Sequence, residues 1–160
     1  MRLKTILNKL EKYSSFVFKD ARFCKKYDEW TFADEVVVVE VEPRANGKPV
    51  CSGCGSKGTC YDHLDRRLFE YVPIWIFQVF FAYRMRRVDC DRCGVTVEMV
   101  PWAEGKETIT KSYKWFLAQW AKLLPWQEVA RVFHTSWNTV FRAVETAVSW
   151  GLLNRSLDDI

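Results

Sequence analysis

Four cysteines stand in two C-x-x-C steps, Cys51 and Cys54 in CSGCG, Cys90 and Cys93 in CDRCG, with 35 residues between the pairs. A C-x-x-C step lets two thiolates face one ion from a tight turn. Gly55 and Gly94 follow the pairs, where such a turn needs a permissive backbone. Two knuckles complete a tetrahedral tetrathiolate, and the intervening residues suffice for a hairpin that brings them together. The spacing therefore predicts one zinc ion per chain on Cys51, Cys54, Cys90 and Cys93. Four sulfurs leave no coordination place for water, so the zinc is read as structural. Iron fits the same four-thiolate shell, since geometry alone does not choose between the two metals. A thioredoxin-like redox site needs a C-x-x-C that opens a helix after a strand, and neither step is so placed.

The other ligand types near this motif are Cys60 and His63, in GSKGTCYDH. Either could replace a cysteine in the set, but the reading leaves both in a loop. Cys24 has no second thiol or histidine near it and is read as a partly buried free thiol.

A second group of residues has types suited to DNA. Arg66, Arg67, Arg84, Arg86, Arg87 and Arg92 make the segment between and beside the knuckles basic. In QVFFAYRMRRVDC, strand alternation puts Val79, Phe81, Tyr83 and Met85 on one face and Arg84 and Arg86 on the other. A solvated strand face and a phosphate-contacting face are equally compatible with that pattern. Further on, WQEVARVFHTSWNTVFRAVETAVSWGLL gives a short helix with Val129, Ala130 and Phe133 on one face. A turn at 134–136 follows, and then a second helix that Ser136 can cap, carrying Val140, Phe141, Val144 and Val148. Small Ala130 and apolar Val140 have the spacing of a helix-turn-helix, in which one lets the helices approach and the other fills their angle. Glycine is usual at the turn. His134 stands here and tolerates a left-handed backbone better than a β-branched residue. In this reading Trp137, Asn138, Thr139 and Arg142 reach base edges or phosphates from the second helix. Trp137 is also a candidate for packing. A plain helical hairpin is the alternative.

The elements that must hold these groups follow from periodicity. Residues 3–12 read as an amphipathic helix with Leu3, Ile6, Leu7 and Leu10 on one face. EVVVVEVEP at 35–43 is a β-branched strand ended by Pro43, and RANGK at 44–48 is a turn. A strand-rich stretch runs from Arg66 to Val88. After VPWAEGKE the period becomes helical to about Leu153, with about four turns ended by Pro125 leading that half. The expected fold is α+β, a small β-rich zinc ribbon with four cysteine ligands followed by an all-helical helix-turn-helix domain. Its parts are an N-terminal helical segment 1–34, a zinc-ribbon β domain 35–104 and a helix-turn-helix domain 105–160, jointed near 101–107.

Composition agrees with a folded chain. The 160 residues are 49% hydrophobic and 28% charged, with eight Trp and eleven Phe, so disorder over most of the length is not expected. A net charge of +4 is compatible with nucleic acid without requiring it. The start, MRLKTILNKLEKY, lacks the uninterrupted apolar stretch of an export signal. The longest apolar run, IWIFQVFFAY at 74–83, is too short to span a bilayer and carries Gln78. No membrane association is expected, and the reducing cytoplasm is the expected compartment, where six cysteines do not make a disulfide framework.

The order of these parts is similar to a known one. Two knuckles around a basic hairpin, RVDCDRCG, VPWAEG, a long helix, SWNTVFRAVETAV and a closing GLLNR resemble bacterial insertion-sequence transposases of the ISL-three family, over residues 35–160. The resemblance implies a DNA-recognition part that binds double-stranded DNA at the terminal inverted repeats of the element, in DNA transposition. It also implies a ribonuclease-H-type catalytic domain beyond this chain's end, so that this chain has no catalytic residues, takes no small-molecule substrate and is not itself an enzyme. Asp158 and Asp159, in LDDI, are then solvated residues rather than the first catalytic aspartate. A homodimer is compatible with this reading. A free-standing transcriptional regulator with the same parts is the alternative, and an iron electron-transfer protein is a third, for which the helical half has no use.

Overall fold

The computed structural model describes residues 2–25 and 35–155. Helix α1 (Leu3–Leu10) precedes strands β1 (Phe16–Lys25), β2 (Glu35–Pro43), β3 (Thr59–Ile74), β4 (Phe77–Cys90) and β5 (Gly94–Val97). Helices α2 (Lys111–Trp120), α3 (Trp126–Val132) and α4 (Trp137–Leu153) follow. Asp158 and Asp159 lie outside the described residues.

The expected architecture is corrected here. In place of a small zinc ribbon followed by an all-helical helix-turn-helix domain, the protein is mostly β, on one mixed five-stranded sheet with most of its helices after it. The strand order is β1-β2-β4-β3, with β5 paired to β4. The physical reason lies in two pairings that local pattern does not show. FVFKDARFCK has charges that interrupt its alternation, yet it pairs antiparallel with β2 from Phe16↔Pro43 to Lys25↔Glu35. β2 in turn runs parallel to β4, Val37 to Glu40 against Val79 to Ala82. The hairpin that carries the cysteines is thus the middle and edge of a larger sheet.

One sheet face holds the main core, around Val39, Phe69, Val79 and Phe81, all with no exposed surface. Fully burying such side chains contributes about 1.5–3 kcal/mol each. α1 closes this face with Leu7, whereas Leu10 is exposed. Asn8 binds the backbone of Phe18 on both sides, donating to its carbonyl at 3.0 Å and accepting from its N–H at 3.1 Å. That contact satisfies part of the outer edge of β1, where an unpaired strand would otherwise invite association.

The segment after β5 is a plug rather than a linker. Trp102 is 1% exposed, with ring centroids of Phe16, Tyr83, Tyr13 and Phe69 at 4.9, 5.4, 5.7 and 5.9 Å. Residues 108–110 then lie against β3: the Glu70 N–H donates to Thr108 O at 2.7 Å and the Thr110 N–H to Glu70 O at 2.8 Å. Glu11 ties the same region together, accepting from Tyr13 Oη at 2.9 Å, Tyr71 Oη at 3.0 Å and Ser112 Oγ at 2.6 Å.

Thr110 caps α2, its hydroxyl accepting from the Tyr113 N–H at 3.2 Å. α2 spans ten residues, shorter than the four turns its apolar pattern suggests, because the chain turns at 121–124 ahead of Pro125. Tyr113 and Leu117 of α2, Val129 and Ala130 of α3, and Val140 and Ala143 of α4 form a second core. No helix among the described residues is long and apolar enough to cross a membrane.

Candidate metal centre and candidate nucleic-acid interface

The first knuckle is a tight turn: the Cys51 N–H donates to Ser56 O at 2.8 Å and the Gly55 N–H to Cys51 O at 2.9 Å. The second is the β4–β5 turn, closed by the pair Cys90↔Gly94. Gly55 and Gly94 have φ of 73° and 70°, the left-handed region where a side chain is strained. A bridge from Cys51 to Glu98 joins the two knuckles. The Sγ atoms of Cys51, Cys54, Cys90 and Cys93 all lie within 4.8 Å of one another, and Cys54 and Cys90 are 3.5 Å apart. Metal–sulfur bonds of about 2.3 Å in a tetrahedron put the sulfurs about 3.8 Å apart, so these residues fit one ion. The four cysteines form a site that can hold a metal.

Their protonation fits that role. Thr96 Oγ1 lies 3.2 Å from Cys51 Sγ, and the Gly53 N–H donates to the same sulfur at 3.4 Å. Hydrogen bonding, Thr96 foremost, pulls the Cys51 thiol down to about 6. Ser56 lowers Cys54 in the same way. Cys93, hydrogen-bonded to Cys54 and then Cys51, is pushed up to about 12. Crowded thiols cannot all ionise without a cation among them, and a bound cation takes the place of the protons. Sequence pattern alone does not single out Thr96 and Ser56, and their adjacency to the knuckles is the available signal.

Cys60 and His63 lie on β3 rather than in the expected loop, paired with Val88 and Arg86. Both are exposed and outside this cluster, with the Cys60 thiol donating to Asp62 O at 3.5 Å. Cys24 is half-buried against Val36, Val38 and Ala82 on the sheet's second face.

The arginines of β4 separate. Arg84 is exposed, as the alternation predicts. Arg86 is not: it is 6% exposed, and its guanidinium binds Glu98, whose side chain has no exposed surface. Arg86 Nε and Nη2 donate to Glu98 Oε2 at 2.9 and 2.7 Å, Nη1 donates to Gly47 O at 2.8 Å, and Tyr83 Oη donates to Glu98 Oε1 at 2.6 Å. Burial works against the Arg86 charge, and the hydrogen bonds and negative charge of Glu98, with Tyr83 beside them, together more than offset it. Residues 47 and 98 cover this part of the strand, which alternation along β4 alone does not reveal. The expected exposure of Arg86, and with it a phosphate contact, is overturned.

In the helical half, α3 and α4 meet at a turn where His134 has φ 51°, the left-handed conformation expected of that position. The Thr135 N–H donates to Ala130 O at 3.0 Å. Ser136 Oγ accepts from the Thr139 N–H at 3.1 Å and so caps α4. Val140 is fully buried and Ala130 nearly so. Asn138 and Arg142 are exposed. Thr139 has its hydroxyl 2.8 Å from Ser136 Oγ, a local contact at the cap. Trp137, 46% exposed, stacks on Phe141 at 5.5 Å, so one of its faces is in use for packing.

No protein-family model, no curated protein and no solved structure matches this chain.

Proposed function

We propose that the protein binds double-stranded DNA as the recognition part of a transposase of the insertion-sequence kind its motifs resemble, with the terminal inverted repeats as its target. One zinc ion on Cys51, Cys54, Cys90 and Cys93 stabilises the knuckle end of the sheet. In this reading the chain recognises DNA and does not itself cut it. The observation that carries the reading is the α3–α4 corner. Ala130 and Val140 are spent on packing, Ser136 on capping and His134 on the turn, so the start of α4 presents Asn138 and Arg142 outward. These side chains are the ones able to make bidentate contacts with adenine and guanine in a major groove. Exposed Arg84 supplies a phosphate contact that positions without specifying. Bound zinc leaves no open coordination place for water, so its contribution is rigidity rather than chemistry.

Selection of bound duplexes from a randomised pool tests this. Recovery of one motif that matches inverted repeats flanking the gene supports the reading. Recovery of no duplex, or of duplexes with no shared motif, contradicts it.

A further inference from the structure

The second face of the sheet carries three guanidinium groups, two of them gathered on one carboxylate. Arg66 on β3 and Arg84 on β4 are direct cross-strand partners, two positive charges in a register that destabilises a sheet. Glu40 Oε1 accepts from Arg22 Nη2 at 2.9 Å and also from Arg66 Nη2. Arg84 has no carboxylate partner among the described residues, and its Nε reaches only Leu64 O at 3.5 Å. These groups and His63 line an open cleft of about 540 Å³. Glu42, the other acid lining it, is engaged by Lys19 at 3.6 Å, and Asp20 on the same face does not line it. One carboxylate thus holds two guanidinium groups in place and leaves the cluster with an excess of positive charge, next to a repulsive pair that an anion would relieve.

We infer that Arg22, Arg66 and Arg84 form a phosphate clamp for the DNA backbone, with Glu40 positioning it and limiting its strength. The inference rests on the DNA-binding reading above and adds to it a site, two further arginines and a residue that restrains binding. Arginine suits this role because its fork of N–H donors can serve a carboxylate on one edge and a phosphate on the other. Phosphate contacts of this type release counterions, so each one steepens the salt dependence of binding by about one unit.

The test titrates one duplex of fixed sequence against the full chain at two salt concentrations, with Arg22→Ala, Arg66→Ala and Glu40→Gln beside the parent. Arg22, Glu40 and Arg66 are partly exposed in the folded protein, so all three variants are expected to fold, and circular dichroism checks this. The clamp predicts several-fold weaker binding and a shallower salt slope for each arginine variant. It predicts several-fold tighter binding and a steeper slope for Glu40→Gln, an outcome that loss of structure does not produce. A parent that binds the duplex while all three variants titrate like it overturns the clamp and leaves the DNA reading standing. A parent that binds no duplex overturns both.

Discussion

Arg86 and Glu98 form an ion pair inside the protein, two guanidinium N–H groups on one carboxylate oxygen, with side chains 7% and 0% exposed, on the segments that lead to and from the second cysteine knuckle. The Arg86 N–H also donates to Glu98 Oε1 at 2.7 Å, so the carboxylate organises backbone and side chains together. Removing one partner of a buried pair leaves the other charged and unsolvated, at a cost of about 3–5 kcal/mol. Arg86→Ala and Glu98→Ala are therefore expected to lower the unfolding free energy by that order. Denaturant titration measures it, and a loss below about 1 kcal/mol would mean the pair is replaced by water.

The metal site gives the second prediction. The purified protein is expected to carry about one zinc ion per chain, and Cys90→Ser to lose it together with thermal stability. Zinc needs thiolates, so acid competes for the ligands and releases the ion. Elemental analysis at neutral and acid pH reads both effects. Full zinc content and an unchanged melting temperature in Cys90→Ser would remove this residue from the ligand set.

Much of this site is legible in the sequence, and the sheet around it is not. C-x-x-C spacing, the Pro43 stop, the Ser136 cap and the His134 turn are local, because each depends on residues within a few positions of one another. The partners of β2 are not local. Its antiparallel neighbour is an irregular, charge-broken segment and its parallel neighbour lies some forty residues away. Arg86 misleads for the same reason, since its alternation is that of an exposed residue and Gly47, Glu98 and the Phe16 ring, brought from elsewhere, cover it. Trp102 is similar: in a segment that reads as a joint, it fills the middle of the core.

The β3–β4 turn stores strain. Ile74 pairs with Phe77 across a two-residue loop whose first residue, Trp75, has φ 55° and is 92% exposed. A positive φ at that place favours glycine, and a bulky residue there costs about 1 kcal/mol or more. Trp75→Gly is expected to raise the unfolding free energy by about 0.5–1 kcal/mol after the glycine's own entropy cost. A lower melting temperature would show that the indole packs in solution.

Four tyrosines set an alkaline limit. Burial, above all, raises Tyr13, Tyr71, Tyr83 and Tyr113, with Glu11 the next cause for Tyr13 and Tyr71, Glu98 for Tyr83 and Glu70 for Tyr113. In the unfolded chain these phenols ionise near pH 10. Above that pH the folded state binds more protons than the unfolded one, so stability is full below about pH 10 and falls beyond it. Tyrosinate absorbance and near-ultraviolet circular dichroism are expected to change together above pH 10. Ionisation of all the tyrosines near pH 10 with the fold intact would contradict the buried hydroxyl contacts.

Reading of bases by α4 is the central claim, and one titration addresses it most directly. The parent, Asn138→Ala and Arg142→Ala are each titrated against the duplex recovered by selection and against a scrambled duplex of equal length, at one fixed salt concentration. If these side chains contact base edges, each variant loses about 1–3 kcal/mol of discrimination between the two duplexes while its binding to the scrambled one changes little. If both variants keep the parent's discrimination, α4 does not read bases and the helical half is a packing element.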